Sequence, residues 1–63
     1  SEIIHVQSDK KVLSLEVISM NGQLIKNNTN QSSIRVNELP KGIYLLRIVD
    51  GDMNTQVQKF VKN

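Results

Sequence analysis

The chain has no cysteine, so neither a disulfide framework nor a thiolate zinc site can hold it together, and no thiol can act as a nucleophile. Only two residues are aromatic, Tyr44 and Phe60, too few for the row of exposed rings on which single-stranded nucleic acid or sugars stack. Both are expected in the core. A single imidazole, His5, excludes any site built from two or more histidines, and its place in a short strand-like stretch near the chain start reads as a surface residue. Apolar runs are only a few residues long and broken by charges, far from the roughly 20 apolar residues of a spanning helix, so no membrane insertion is expected. Eight Lys/Arg against six Asp/Glu give a net charge of +2. The basic residues are scattered, which gives no footprint for nucleic acid.

Sixty-three residues form one small domain of marginal stability, because the fraction of surface that a chain this short can bury is low. No initiator methionine and no basic-then-apolar leader is present, so residues 1–63 are expected to be a fragment of a longer precursor.

Strand signals run almost throughout, and no helical period is convincing. A first strand is expected over Ile3 to Val6 and, after the polar Ser8-Asp9-Lys10-Lys11 turn, a second over Val12 to Ser19. Its Leu13, Leu15 and Val17 share one face, taken as core, opposite Ser14 and Glu16. Asn21-Gly22 predicts a type I′ hairpin turn, since both residues tolerate positive φ. A third strand then returns through Leu24 to Lys26. The uncharged polar run Asn27 to Ser33 reads as an exposed loop or a frayed edge, and Ile34 and Val36 restart the alternation.

Pro40 and Gly42 predict a chain reversal over Leu39 to Gly42, leading into a strand from Ile43 to Val49 with Tyr44, Leu46 and Ile48 on its core face. Arg47 marks the opposite face as wet or paired. Asp50-Gly51-Asp52 makes the next hairpin turn, and a last strand runs from Asn54 to Lys62. There Val57 and Val61 fall on one face and Phe60 on the other, so either both faces are partly covered or a bulge near Lys59 shifts the register. Phe60 is placed at least partly inside. Six short antiparallel strands with turns every eight to twelve residues imply an all-β fold, a small immunoglobulin-like β-sandwich.

No catalytic constellation emerges: there is no activated nucleophile, acid/base pair or metal cluster, and no cofactor is implied. Asp50 and Asp52 could be imagined as calcium ligands, but Asp and Gly are what hairpin turns select, and calcium wants six or more oxygens. Asn27-Asn28-Thr29 and Asn30-Gln31-Ser32 match the glycosylation pattern, as chance allows in so polar a stretch. Lys59 and Lys62 flank Phe60 with no acid after Asp52. The strand therefore carries local positive charge, which can guard an exposed edge against unwanted pairing.

Three elements, in order, carry a resemblance: the Met20-Asn21-Gly22-Gln23 turn, the Leu39-Pro40-Lys41-Gly42-Ile43-Tyr44 turn-strand, and the Lys59-Phe60-Val61-Lys62 ending. Together the chain resembles the C-terminal sorting domain of proteins exported by the type IX (Por) secretion system of Bacteroidetes. The Pro-Asn-Pro segment that usually opens this family is absent, and Ser1 falls about where the chain after it would begin. The resemblance implies a non-catalytic domain behind a cargo protein that reaches the periplasm by the Sec route. The secretion translocon would then carry the cargo across the outer membrane for release or surface attachment, and a sortase-like surface peptidase would remove the domain. Residues carried over by matching position are Gly22, Leu39, Gly42, Tyr44, Lys59, Phe60, Val61 and Lys62. Most of these read as structural, while the terminal lysines are the candidates for direct recognition.

If a strand upstream of Ser1 is missing, an edge is left unpaired, and a homodimer through that edge strand is a further expectation. Two other readings stay open. An adhesive or carbohydrate-binding β-sandwich should show an aromatic row or a calcium loop, whereas a fibronectin-like structural spacer differs from a sorting domain only in its position within the parent chain.

Overall fold

The computed structural model describes residues 2–63, and six antiparallel strands account for their regular structure. These are β1 (Ile3–His5), β2 (Val12–Ser19), β3 (Leu24–Thr29), β4 (Ser33–Arg35), β5 (Gly42–Asp50) and β6 (Thr55–Lys62). No helix occurs among the described residues. Four strands pair in the order β3-β2-β5-β6, and β1 pairs with β4 in a separate two-stranded sheet. The result is a small β-sandwich of unequal layers, as the alternation of the sequence predicts.

The core lies between the sheets. Leu15 and Val17 of β2 are fully buried, and their register partners Ile48 and Leu46 on β5 are buried beside them. Ile34 and Val36 descend from the small sheet, joined by Ile4 and Val6. Each such aliphatic residue removed from water stabilises the fold by about 1.5–3 kcal/mol, which matters in a domain without cross-links. Leu13, expected on the core face, is only half-buried, and Val12 is buried instead. The cause is a bulge: Val12 pairs with Asp50 but Ser14 with Val49, so Leu13 is the extra residue and the face changes there.

The two tight hairpins share one geometry, which corrects the expected type I′ turn. Ser19 N–H donates to the Gln23 carbonyl at 2.8 Å and Gly22 N–H to the Ser19 carbonyl at 2.9 Å. The loop therefore has three residues, and of these Gly22 (φ 90°) alone takes positive φ. Asn21 does not. This is a tight turn followed by one left-handed residue, the usual three-residue hairpin. Asp50 to Asn54 repeats it: Met53 N–H donates to the Asp50 carbonyl at 2.9 Å and Met53 stands at φ 64° where the first hairpin has glycine. Asp50 Oδ1 accepts the N–H groups of Asp52 and Asn54 at 2.9 and 3.0 Å, so this carboxylate is occupied in shaping the turn.

The polar run after Lys26 is not a loop until Asn30. β3 continues to Thr29 as the edge strand of the large sheet, and its inward residues are Lys26 and Asn28, opposite Val17 and Leu15. The reason is visible across the sheet gap. β4 bonds to β1 through the carbonyl of Ser32 and the N–H of Val36, so the carbonyls of Ser33 and Arg35 point the other way. Asn28 Nδ2 donates to Ser33 O at 3.1 Å and Lys26 Nζ to Arg35 O at 2.6 Å. Side chains of one sheet thus satisfy the open backbone edge of the other.

The second reversal begins earlier than expected. Its hydrogen bond runs from Leu39 N–H to the Val36 carbonyl at 3.1 Å, and Pro40 and Lys41 then lead into β5.

Two outcomes test this description. A non-glycine residue in the left-handed region costs more than 1 kcal/mol, partly offset by the backbone entropy glycine loses on folding, so Met53→Gly is expected to stabilise by about 0.5 kcal/mol. Thermal melts should show a gain of roughly 3 °C, and a loss would contradict the turn geometry. The second concerns Glu38, which accepts a hydrogen bond from Lys26; that bond first, with a backbone hydrogen bond and the Lys26 and Arg35 charges, holds its carboxyl below the ordinary value. A lowered folded-state value contributes stability above the unfolded value that is lost as pH falls through the folded one. Glu38→Gln should therefore flatten the acid side of the melting-temperature profile, and an unchanged profile would remove the pair from the account.

Candidate recognition surface

Strand register gathers the three sequence elements at one end of the large sheet. Ser19 pairs with Tyr44 and Tyr44 with Phe60, so a single row joins the first hairpin, the start of β5 and the end of β6. The Gly22 turn, the Leu39–Gly42 corner and the Lys59–Lys62 ending therefore lie together, although some forty residues separate the first from the last.

The corner is built around Tyr44. Its ring is buried on the core face, and its hydroxyl donates to the Pro40 carbonyl at 2.6 Å, which satisfies the phenol without water. Leu39 is buried next to the same core. Gly42 stands at φ 155°, a conformation that side chains rarely adopt. A Cβ there would come no nearer than 3.8 Å to the Tyr44 ring, so the backbone rather than lack of room demands glycine. Phe60 stacks on Tyr44 with ring centroids 5.6 Å apart and planes at 25°, and is half-buried as expected.

β6 has no bulge. Its pairing with β5 is continuous from Gly42–Lys62 to Val49–Thr55, which settles the ambiguity of the last strand. Gln56, Gln58, Phe60 and Lys62 face the sandwich interior, while Val57, Lys59 and Val61 face outward, with Val57 at 53% and Val61 at 61% exposure. The terminal motif is thereby divided between two faces. Lys62, grouped with Lys59 as an exposed charge on sequence grounds, is only 9% exposed and pairs with Glu2 at 2.8 Å. It ties the last strand to the start of the chain.

A groove of about 460 Å³ opens between these ends, with Ile4, Val36, Leu46 and Phe60 among its walls. It exists because two strands cannot cover four. On the outer face Arg47 hydrogen-bonds Glu16, which raises the guanidinium's already high value and leaves the pair neutral. Among the described residues no three His, Asp or Glu side chains gather where they could hold a metal ion.

A family model described as the secretion system C-terminal sorting domain matches residues 1–63, the whole chain. The chain belongs to this family. Searches of curated proteins and of solved structures found no match. Membership makes the domain a sorting signal for type IX secretion, a system of Bacteroidetes, that works with the secretion machinery and with a cargo domain on the same chain. Its route runs through the periplasm to the cell surface or the exterior.

Sequence reasoning missed the partners of Lys62 and of Asn28, because nothing local marks a polar residue for an inter-sheet contact. The inward parity of Lys62 with Phe60 was the one available signal. The Tyr44 corner supplies a test: Tyr44→Phe leaves the Pro40 carbonyl without its donor and should cost about 1 kcal/mol, whereas Tyr44→Ala should cost about 3 kcal/mol. Equal stability of parent and Phe variant in chemical denaturation would show that the hydroxyl is not needed there.

Proposed function

We propose that residues 1–63 are a non-catalytic sorting domain appended to a cargo, which the type IX translocon exports for release or surface attachment. A sortase-like surface peptidase then removes the domain. The full-length family match carries this reading, and the convergence of the Gly22, Gly42 and Lys59–Lys62 elements at one end supports it by presenting them as one surface. In this reading Leu39, Gly42, Tyr44 and Phe60 shape the end of the sandwich, Gly22 closes its neighbouring hairpin, and Lys59 and Val61 are read by the machinery. Lys62 acts on the inside, through Glu2.

The free edge of β6 offers a second mode of contact. It is eight residues long, unbroken and without proline, so another strand, including that of a second copy in a homodimer, can add to it. Neither a structural spacer nor a sugar-binding module would depend on the last residues for export.

That dependence is the test. A passenger with a Sec signal peptide, fused to this domain with its native upstream flank, is expected outside a Bacteroidetes cell that has the type IX machinery. Removing Lys59 to Asn63 should leave the passenger in the periplasm. Unchanged export after the deletion, in a strain that secretes a known cargo, would reject the sorting role for these residues.

A further inference from the structure

The outer face of the large sheet carries an apolar patch with one free charge. Register sets Leu24, Ile18, Leu45 and Lys59 in a single row across all four strands, with the Ile43–Val61 pair beside it. Leu24, Ile43 and Val61 are 53%, 47% and 61% exposed, and the small sheet covers the opposite face. A continuous apolar row on the wet side of a small sandwich is not demanded by folding, since threonine or serine would hold the strands as well. On the other flank of the row Glu16 and Arg47 neutralise each other. Among the described residues Lys59, like Lys11, Arg35 and Lys41, has no carboxylate within ion-pair distance, and of these four it is the one that register places in the row.

We propose that this face docks the domain on an apolar protein surface of the export machinery that presents a carboxylate to Lys59. The proposal rests on the sorting reading and extends it from the last residues to the face of the whole sheet. Charge complementarity selects the occupant. A second copy would bring no free carboxylate, because the patch's only acid neighbour, Glu16, is already held by Arg47, so Lys59 would be buried unpaired. A membrane surface is read by clusters of about four to eight basic residues, and the patch has one free lysine. An apolar protein surface with an acidic residue covers the aliphatic row and pairs the ammonium together.

Leu24 and Ile43 lie outside the terminal five residues, so they separate docking by the face from reading of the tail. The passenger fusion is compared with Leu24→Thr/Ile43→Thr, with Lys59→Glu, and with His5→Thr, which alters the exposed outer side of the small sheet. Melting of the purified domains verifies that each remains folded. Export is expected to fall by about tenfold in the first two and to stay at the parent level in the third, the size of effect that a reversed charge or a lost apolar contact has on a docking surface.

Normal export by the folded Leu24→Thr/Ile43→Thr domain, with the tail deletion still blocked, would overturn the face and leave the sorting role standing. Failure of the parent fusion itself would overturn both. Sedimentation and pelleting with anionic phosphatidylglycerol vesicles complete the test. A dimer dissolved by Leu24→Thr/Ile43→Thr, or vesicle binding lost in Lys59→Glu, would overturn the assignment by naming a second copy or a membrane as the occupant.

Discussion

A two-stranded sheet must cover a four-stranded one, and the rest of the molecule follows from how that mismatch is closed. β1 and β4 are three residues each, enough to bury Leu15, Val17, Leu46 and Ile48 but too narrow to reach the outer strands of the large sheet. The edge strands β3 and β6 accordingly turn polar side chains inward. Lys26 and Asn28 from one margin donate to the free carbonyls of β4, and Lys62 from the other pairs with Glu2. The Lys26 and Asn28 contacts satisfy backbone carbonyls that would otherwise face a partly dry gap, where an unmade hydrogen bond costs about 1–3 kcal/mol, and the Lys62 contact pairs a charge that burial would otherwise isolate.

The same margin explains why the last strand is unusual. Its inward side reads Gln56, Gln58, Phe60, Lys62, polar where a central strand would be apolar, while valines look outward. An edge strand half outside the sandwich has no full core to fill, so the ordinary alternation is inverted along it, and Phe60 is its one apolar inward residue. Tyr44 receives that ring by stacking, and its hydroxyl anchors the corner through Pro40. Structural and exposed residues therefore alternate within a four-residue motif. The outward Lys59 and Val61 are thus open to contact without disturbing the contacts that Phe60 and Lys62 make.

The fold was legible wherever local chemistry decides the outcome. The second strand, Val12 to Ser19, has the bounds its alternation predicts, and the burial of Tyr44, Leu46 and Ile48 follows from side-chain period alone. Positions of the turns were also readable, because Asn-Gly and Asp-Gly-Asp permit few alternatives. Turn type was less so: a three-residue loop and a two-residue loop accept the same Asn-Gly pair, and cross-strand hydrogen bonds select between them. The Leu13 bulge escaped for a similar reason. Local alternation continues through it, and only the pairing with β5 reveals the extra residue.

By itself, then, the sequence determined that the chain is all-β, that one imidazole excludes a site of several histidines, and that its motifs, in their order, resemble those of a sorting domain. These depend on composition, spacing and period, which need no partner strand to be read. Tertiary structure alone decided that the motifs meet at one end, that Lys62 is inside and Lys59 outside, and that Leu24 and Ile43 join the lysine's face. Such placements depend on register between strands far apart in the chain. A shift of one residue would exchange every inward and outward side chain of β6, and register is set by contacts that no short window of sequence contains.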